Sequence, residues 1–175
     1  MKNWIALITL SCFIGLGTVA CKANAQSSRS ATETLVGSWR LISVETICQA
    51  TGEIIYPWMG TRPTGMIIYL PNGYMAVQLM RDPPAKFASD TYEGATLEEM
   101  KDAFLVYYAY YGRYTLDEEK GMVTHRVESS LYPEEHGITY KRFFSFEGDR
   151  LTLVTAPFVE GGEELVNRLV WERMK

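Results

Sequence analysis

The sequence predicts one all-β domain, an antiparallel up-and-down β-barrel of about 8–10 strands with a single helix inserted at about 97–110. Two observations predict it. From residue 35 onward, short runs rich in β-branched and aromatic residues recur, and turn residues separate them. The length of 175 residues leaves room for one domain of ordinary size, and the chain contains no internal repeat.

The predicted strands follow one another as hairpins. They cover residues 37–46, 54–58, 65–70, 74–80, 112–116, 122–132, 140–146, 150–156 and 165–172. Pro71-Asn72-Gly73 has the composition of a tight hairpin turn, since glycine accepts positive φ without strain. Glycine-containing loops at 117–121 and 147–149 join two later pairs.

The helix is predicted from its start signal and its apolar face. Thr96 and Glu99 have the spacing of a capping box, in which each side chain bonds the backbone amide of the other residue. Apolar residues then recur at spacings of three and four: Met100, Ala103, Phe104, Tyr107 and Tyr108. Gly112 is the predicted end of the helix.

Residues 1–25 have the composition of a signal peptide. Lys2 precedes an uncharged run over 4–19, and Ala23-Asn24-Ala25 has the small-x-small form of a cleavage site. The run is shorter than the roughly 20 residues of a membrane-spanning helix. We therefore expect a polar tether at 26–34, a barrel domain at 35–175 and export to the periplasm or the extracellular space. A barrel suits an exported protein because it exposes no strand edge.

Two alternatives at this terminus stay open. Cys21 follows Ala20, so the segment could be processed as a lipoprotein signal and leave a lipid anchor at Cys21; the uncleaved segment could also serve as a membrane anchor. Cleavage after Ala25 removes Lys2 and Lys22, which leaves 15 basic against 21 acidic residues, a net charge of −6. Such a domain is not expected to bind nucleic acid, because it would repel the phosphate backbone. Cys48 would be its only cysteine, so no internal disulfide is expected.

The first strand opens with Val36-Gly37-Ser38-Trp39-Arg40-Leu41, a G-x-W pattern. Together with the stretches at 65–69, 73–81, 111–114, 123–133 and 168–173, it resembles the bacterial lipocalin-like domain family over residues 35–173. The resemblance implies a small barrel with a central cavity and no set reaction. It also implies that Gly37 and Trp39 close one barrel end, with Arg168 or Arg173 packed over the tryptophan ring, a favourable cation–π contact.

Strand periodicity places His125 inside the barrel. In the strand that begins near Val123, the odd positions through Leu131 share one face, and this set includes His125, Val127 and Ser129. His125 then has three interpretations: a hydrogen-bonded core residue, a polar contact for a ligand, or a reactive group. As a reactive group it could be the general base of an isomerase, cyclase or hydratase, or the ligand of a haem iron.

The aromatic run from Tyr107 to Tyr114 supplies further candidates for ligand contact. Tyr108, Tyr111 and Tyr114 could place rings and hydroxyls at the cavity, or could pack the helix onto the barrel. Gln78 is either a polar group of the cavity or an outward residue, because both faces of its strand are apolar. The predicted ligand-binding set is His125, Tyr114, Gln78, Tyr108, Tyr111 and Val127.

Metal and hydrolase sites are not expected. His136 falls in a turn eleven residues beyond His125, and the acidic Glu134 and Glu135 beside it have the composition of a solvated loop. Ser129 lies about 13 Å along the strand from His125, too far for a nucleophile and its base. The sequence therefore predicts a protein that binds a small hydrophobic or aromatic molecule and uses no cofactor. A barrel packed solid, with a structural role in the cell envelope, is the remaining alternative.

Overall fold

The computed structural model describes residues 30–55, 59–89 and 91–175. Ten strands and two α-helices lie in this part of the chain. The helices are α1 (Ala31–Leu35) and α2 (Leu97–Leu105). The strands are β1 (Gly37–Cys48), β2 (Ile54–Ile55), β3 (Thr64–Tyr69), β4 (Tyr74–Met80), β5 (Tyr107–Asp117), β6 (Met122–Ser130), β7 (Thr139–Glu147), β8 (Arg150–Thr155), β9 (Phe158–Glu160) and β10 (Glu163–Arg173).

Eight of these strands close into an antiparallel barrel. The ladder runs β1, β3, β4, β5, β6, β7, β8, β10, and β10 pairs again with β1 over most of the length of both strands. The short strands β2 and β9 extend the sheet beside β1 and β10. The predicted fold class is confirmed, because consecutive hairpins produce this order and closure satisfies the backbone groups of both edge strands.

The β3–β4 hairpin shows how the turn chemistry sets the register. Gly73 has φ of 84° and its amide donates to the carbonyl of Leu70 at 3.1 Å, while the amide of Leu70 donates to Tyr74 at 2.8 Å. The register that follows turns Met75, Val77 and Leu79 toward the core. The side chains between them, including Gln78, point outward.

The helix is shorter than the sequence predicts. Its capping box forms between Thr96 and Glu99, but the helix ends at Leu105 rather than near residue 110. Tyr107 to Tyr111 belong to β5, where they pair with β4. The run fits both periods in sequence, and pairing with the exposed edge of β4 determines the outcome, since tyrosine favours strands. α2 itself buries no residue.

A β-bulge lies in β6 at Glu128. Gly112 pairs with Val127 and Tyr111 pairs with Ser129, so Val127 and Glu128 together oppose one residue of β5. A Cβ atom at Gly112 would lie 2.0 Å from the carbonyl oxygen of Arg126, which explains why glycine occupies that position. The bulge reverses the alternation, so Ser129 points outward and not to the face of His125 as predicted.

One end of the barrel is closed by Trp39, which is fully buried. Its indole Nε1 donates to the carbonyl of Leu35 at 2.9 Å, so α1 covers this end. The guanidinium of Arg173 lies 4.1 Å from the Trp39 ring and donates to the carbonyls of Thr34 and Val36. It also occupies the space that a Cβ at Gly37 would need.

Arg168, the other predicted candidate for this end, has a different place. It pairs with Glu45 on β1 and is partly exposed. The reason is the strand period: Arg173 shares the inward face of β10 with Trp171 and Leu169, whereas Arg168 lies one residue out of phase.

Some predictions fall partly or wholly outside the described residues. They are the signal peptide at 1–25, Cys21, and residues 56–58 of the second predicted strand, of which Ile54–Ile55 form β2. Residues 31–34 of the predicted tether belong to α1, which Ser30 caps. In the described part of the chain, no helix has the length and apolar character needed to cross a membrane.

Candidate functional site

The barrel encloses a cavity of about 180 Å³. Its wall is formed by inward side chains of all eight barrel strands and by Met59 from the connection that follows β2. The apolar lining residues are Val44, Met59, Ile67, Val77, Leu79, Leu153 and Leu169. The polar or aromatic ones are Tyr108, Tyr110, His125, Arg142, Thr155, Asn167 and Trp171. A cavity of this kind offers burial for an apolar ring and a few polar contacts that orient it.

His125 lies at this wall, held between two tyrosines. It is 1% exposed, and its neighbours across the sheet are Tyr114 on β5 and Tyr140 on β7. Its Nε2 lies 2.8 Å from the hydroxyl of Tyr69, and its Nδ1 lies 2.8 Å from the hydroxyl of Tyr110. Both ring nitrogens therefore have a hydrogen-bond partner within the protein.

Burial lowers the pKa of His125 from 6.5 to about 3, and the positive charge of Arg142 adds to this effect. The imidazole is therefore neutral at neutral pH. A group this weakly basic, with both nitrogens bonded to tyrosines, is poorly suited to abstract a proton from a substrate. The same two bonds leave neither nitrogen open for a haem iron.

The shifted pKa of His125 predicts a pH-dependent stability. The unfolded chain protonates this histidine below about pH 6.5, whereas the folded chain does so only near pH 3. The free energy of unfolding should therefore fall as the pH drops through this window, by on the order of 1 kcal/mol per pH unit from His125 alone. Denaturant unfolding from pH 7 to pH 4 measures this slope.

Two variants isolate the contribution of His125. His125→Gln can still bond both tyrosines and should flatten the slope. His136→Gln should not, because His136 is exposed. Equal slopes for the wild type and His125→Gln would contradict the assignment.

Hydroxyl groups surround a carboxylate on one side of the cavity. The hydroxyl of Tyr108 lies 3.1 Å from both carboxylate oxygens of Glu135, and Ser130 donates to Glu135 at 2.6 Å. Burial raises the pKa of Tyr108 well above its usual range and that of Tyr140 to about 12. Glu135 is thus half-buried beside the cavity wall and not fully solvated, because the short 3₁₀ turn over Pro133–Glu135 folds back against β6.

A cation lies on another side of the wall. Arg142 projects from the inward face of β7, and its guanidinium stacks 4.8 Å from the ring centre of Tyr140. Its hydrogen bond goes to the carbonyl of Lys141 at 3.0 Å. Among the described residues no carboxylate forms an ion pair with it.

Trp171 supplies an unpaired donor. The side chain is fully buried and lines the cavity, and its Nε1 has no hydrogen-bond partner among the described residues. It is the only buried side-chain nitrogen or oxygen in the described part of the chain in this state. A buried donor without an acceptor lowers the stability of the folded protein by about 1–3 kcal/mol. A ligand that placed an acceptor at this N–H would remove that cost.

The structure separates the predicted ligand-binding residues into three groups. His125 and Tyr108 line the cavity. Tyr114 and Val127 lie in the core beyond its wall, and the hydroxyl of Tyr114 donates to the carbonyl of Leu70 at 3.0 Å. Gln78 and Tyr111 point out of the barrel: Gln78 accepts a hydrogen bond from Tyr107 at 2.8 Å, and Tyr111 is 51% exposed.

The sequence analysis missed several residues of this site: Tyr69, Tyr110, Glu135, Arg142 and Trp171. A signal for two of them existed. Arg142 alternates with Tyr140 and Phe144 along β7, and Trp171 alternates with Leu169 along β10, so both belong to an apolar face. Tyr110 is missed because the sequence predicts a helix through about residue 110, whereas Tyr110 belongs to β5. The described residues contain no cluster of three His, Cys, Asp or Glu side chains able to hold a metal ion.

Similarity in sequence to known proteins shows the family of this chain. A curated relative, the 4'-hydroxy-3'-methoxypropiophenone carrier protein ppsC of Aspergillus oryzae, is 33% identical over 107 residues, which is 57% of this chain and 96% of that protein. A crystal structure of a variant of the fluorescent protein UnaG aligns with 81% of this chain and 96% of its own, at 10% identity and a TM-score of 0.34. That likeness is too low to bear on function. The sequence profile of the lipocalin-like domain matches residues 36–174, and the chain belongs to the lipocalin-like domain family.

Proposed function

We propose that this protein is a carrier that binds one small aromatic molecule inside the barrel. The observation that carries the proposal is the cavity inside the barrel, lined by Trp171, whose buried indole N–H has no partner among the described residues. An enclosed apolar space costs packing contacts, and an unpaired buried donor costs a hydrogen bond. A ligand with a ring and one acceptor would relieve both costs.

The size of the cavity limits the ligand to about one ring. Its volume of about 180 Å³ is smaller than the roughly 300–1,000 Å³ of sites for drug-sized ligands. It is slightly larger than an engineered apolar cavity of about 150 Å³ that binds benzene. A benzene ring with a short substituent therefore fits, whereas a long acyl chain or a haem would require the barrel to open.

A carrier role also accords with the relative from Aspergillus oryzae, which is named as a carrier of a substituted propiophenone, a single-ring ketone. The alternative of an isomerase, cyclase or hydratase with His125 as base gains no support from the site, for the reasons of bonding and pKa given above. Export through a cleaved signal peptide, or attachment through Cys21, remains part of the proposal, and residues 1–25 lie outside the described residues.

Titration with propiophenone tests the proposal by NMR. We expect the indole ¹H–¹⁵N signal of Trp171 to shift in a saturable manner, because its N–H gains an acceptor or a ring beside it. The indole signal of Trp39 serves as the internal control, since its N–H already donates to Leu35 and lies outside the cavity wall. If neither propiophenone nor propylbenzene produces saturable shifts at Trp171, the carrier proposal is wrong.

A further inference from the structure

The pair of tyrosines around His125 allows its hydrogen atoms to be assigned. A neutral imidazole carries one N–H, so one ring nitrogen donates and the other accepts. Both nitrogens lie 2.8 Å from a tyrosine hydroxyl. One tyrosine must therefore donate to the imidazole, while the other accepts from it and keeps its own hydrogen for a different partner.

The surroundings of the two tyrosines determine which one donates to His125 and which one accepts from it. Tyr69 is fully buried, does not line the cavity, and has no other hydrogen-bond acceptor among the described residues. Its hydrogen must therefore go to Nε2 of His125, since the opposite arrangement would leave a donor unpaired in the core. Nδ1 then carries the imidazole hydrogen and donates it to Tyr110.

Tyr110 is left with a free hydroxyl hydrogen, and Tyr110 does line the cavity. No second partner of this hydroxyl is found in the described part of the chain. The chain of bonds from Tyr69 through His125 to Tyr110 runs in one direction, and each bond polarises the next, so the last hydroxyl becomes a better donor.

The remaining polar groups of the cavity wall also offer donors and no free side-chain acceptor. The side-chain oxygen of Asn167 already accepts from Thr46 at 2.8 Å, and that of Thr155 accepts from the amide of Asn167 at 2.9 Å. Trp171 and Arg142 contribute N–H groups. No carboxylate lies among the residues that line the cavity. The wall thus presents donors, and its side-chain acceptors are engaged.

We propose that the cavity selects ligands that carry a hydrogen-bond acceptor, such as an aryl ketone, over ligands of the same shape without one, and that the hydroxyl of Tyr110 donates to this oxygen. In this arrangement Tyr110 contacts the ligand, while His125 and Tyr69 act as positioning residues that direct the hydroxyl hydrogen into the cavity. The inference rests on the proposed carrier function and names the chemical group that the carrier selects.

A pair of ligands and a pair of variants test it. Propiophenone and propylbenzene share a carbon skeleton and differ in the carbonyl. Tyr110→Phe removes the hydroxyl and keeps the ring, and Tyr114→Phe does the same at an inward tyrosine outside the cavity wall. Dissociation constants are measured for both ligands with the full-length wild type and both variants.

Tyr110→Phe should weaken propiophenone binding about three- to ten-fold, the effect of one hydrogen bond, and change propylbenzene binding less than about two-fold. Tyr114→Phe should change neither. Transferring propiophenone from water into the cavity costs the same desolvation free energy of its carbonyl in the wild type and in each variant. This cost therefore cancels when their dissociation constants for propiophenone are compared. If both ligands bind and Tyr110→Phe weakens neither or both equally, the inference is overturned while the carrier function stands. If neither propiophenone nor propylbenzene binds, the carrier function is refuted instead.

The hydrogen assignment can be checked without any ligand. Imidazole ¹⁵N chemical shifts distinguish a protonated Nδ1 from a protonated Nε2. The chain has two histidines, so His136→Gln leaves His125 as the single source of signal. We expect the hydrogen on Nδ1, and its presence on Nε2 would overturn the inference, because Tyr110 would then donate to the imidazole.

Discussion

Replacing Val77 by phenylalanine should abolish ligand binding while leaving the barrel folded. Val77 is buried on β4 and lines the cavity, so the added ring would take the space of the ligand. An aromatic ring buries roughly 150–250 Å² of surface. At about 25 cal/mol per Å² this amounts to about 4–6 kcal/mol, so we expect affinity for propiophenone to fall on the order of a thousand-fold.

The same substitution outside the barrel provides the control. Val159 on β9 is 74% exposed and does not line the cavity, so Val159→Phe should bind propiophenone like the wild type. The free energy of unfolding of Val77→Phe should change by less than about 2 kcal/mol, since filling a cavity offsets the cost of overpacking. Calorimetric titration and denaturant unfolding measure the two quantities. Undiminished binding by a folded Val77→Phe would place the ligand outside the cavity.

Trp39→Ala should produce the largest loss of stability. Trp39 is fully buried, its N–H donates to Leu35, and the cation of Arg173 lies against its ring. Truncation removes all three contributions and leaves a cavity under α1. We expect the free energy of unfolding to fall by about 3–5 kcal/mol, measured by denaturant unfolding.

Two further variants divide this loss. Trp39→Phe keeps most of the packing and should lose less. Arg173→Met keeps the length of the side chain, removes the cation and its bonds to Thr34 and Val36, and should cost about 1–2 kcal/mol. A loss below about 1 kcal/mol for Trp39→Ala would show that this end of the barrel is held by other contacts. Ligand affinity of the folded fraction should be unchanged, because Trp39 is not in the cavity wall.

The barrel end at Trp39 and the cavity beside His125 contribute differently to stability and to ligand binding. At the end closed by Trp39, the indole N–H and the guanidinium of Arg173 both have hydrogen-bond partners within the protein. The cavity beside His125 retains space and the unpaired indole donor of Trp171. Binding capacity and stability are therefore separable, and substitutions can change one without the other.

The sequence by itself determined the order of strands, the hairpin turns and the inward direction of His125. Each is local: a turn residue acts over a few positions, and alternation along a strand fixes which face a side chain occupies. The same alternation would also have placed Arg142 and Trp171 inside. The period at Tyr107–Tyr111 is ambiguous in sequence, because a helical and a strand pattern fit these residues equally well.

Only the tertiary structure determined which side chains from different strands contact one another inside the barrel. Tyr69, Tyr110 and His125 come from β3, β5 and β6 and are far apart in sequence, and barrel closure brings their polar atoms within 2.8 Å. The bulge at Glu128 turned Ser129 outward, and the 3₁₀ turn after β6 placed Glu135 within hydrogen-bond distance of Ser130. The segment from Val123 to Gly137 contains reactive residue types. Pairing across strands gives His125 two hydroxyl partners and leaves the chemistry of the cavity to Tyr110, Arg142 and Trp171.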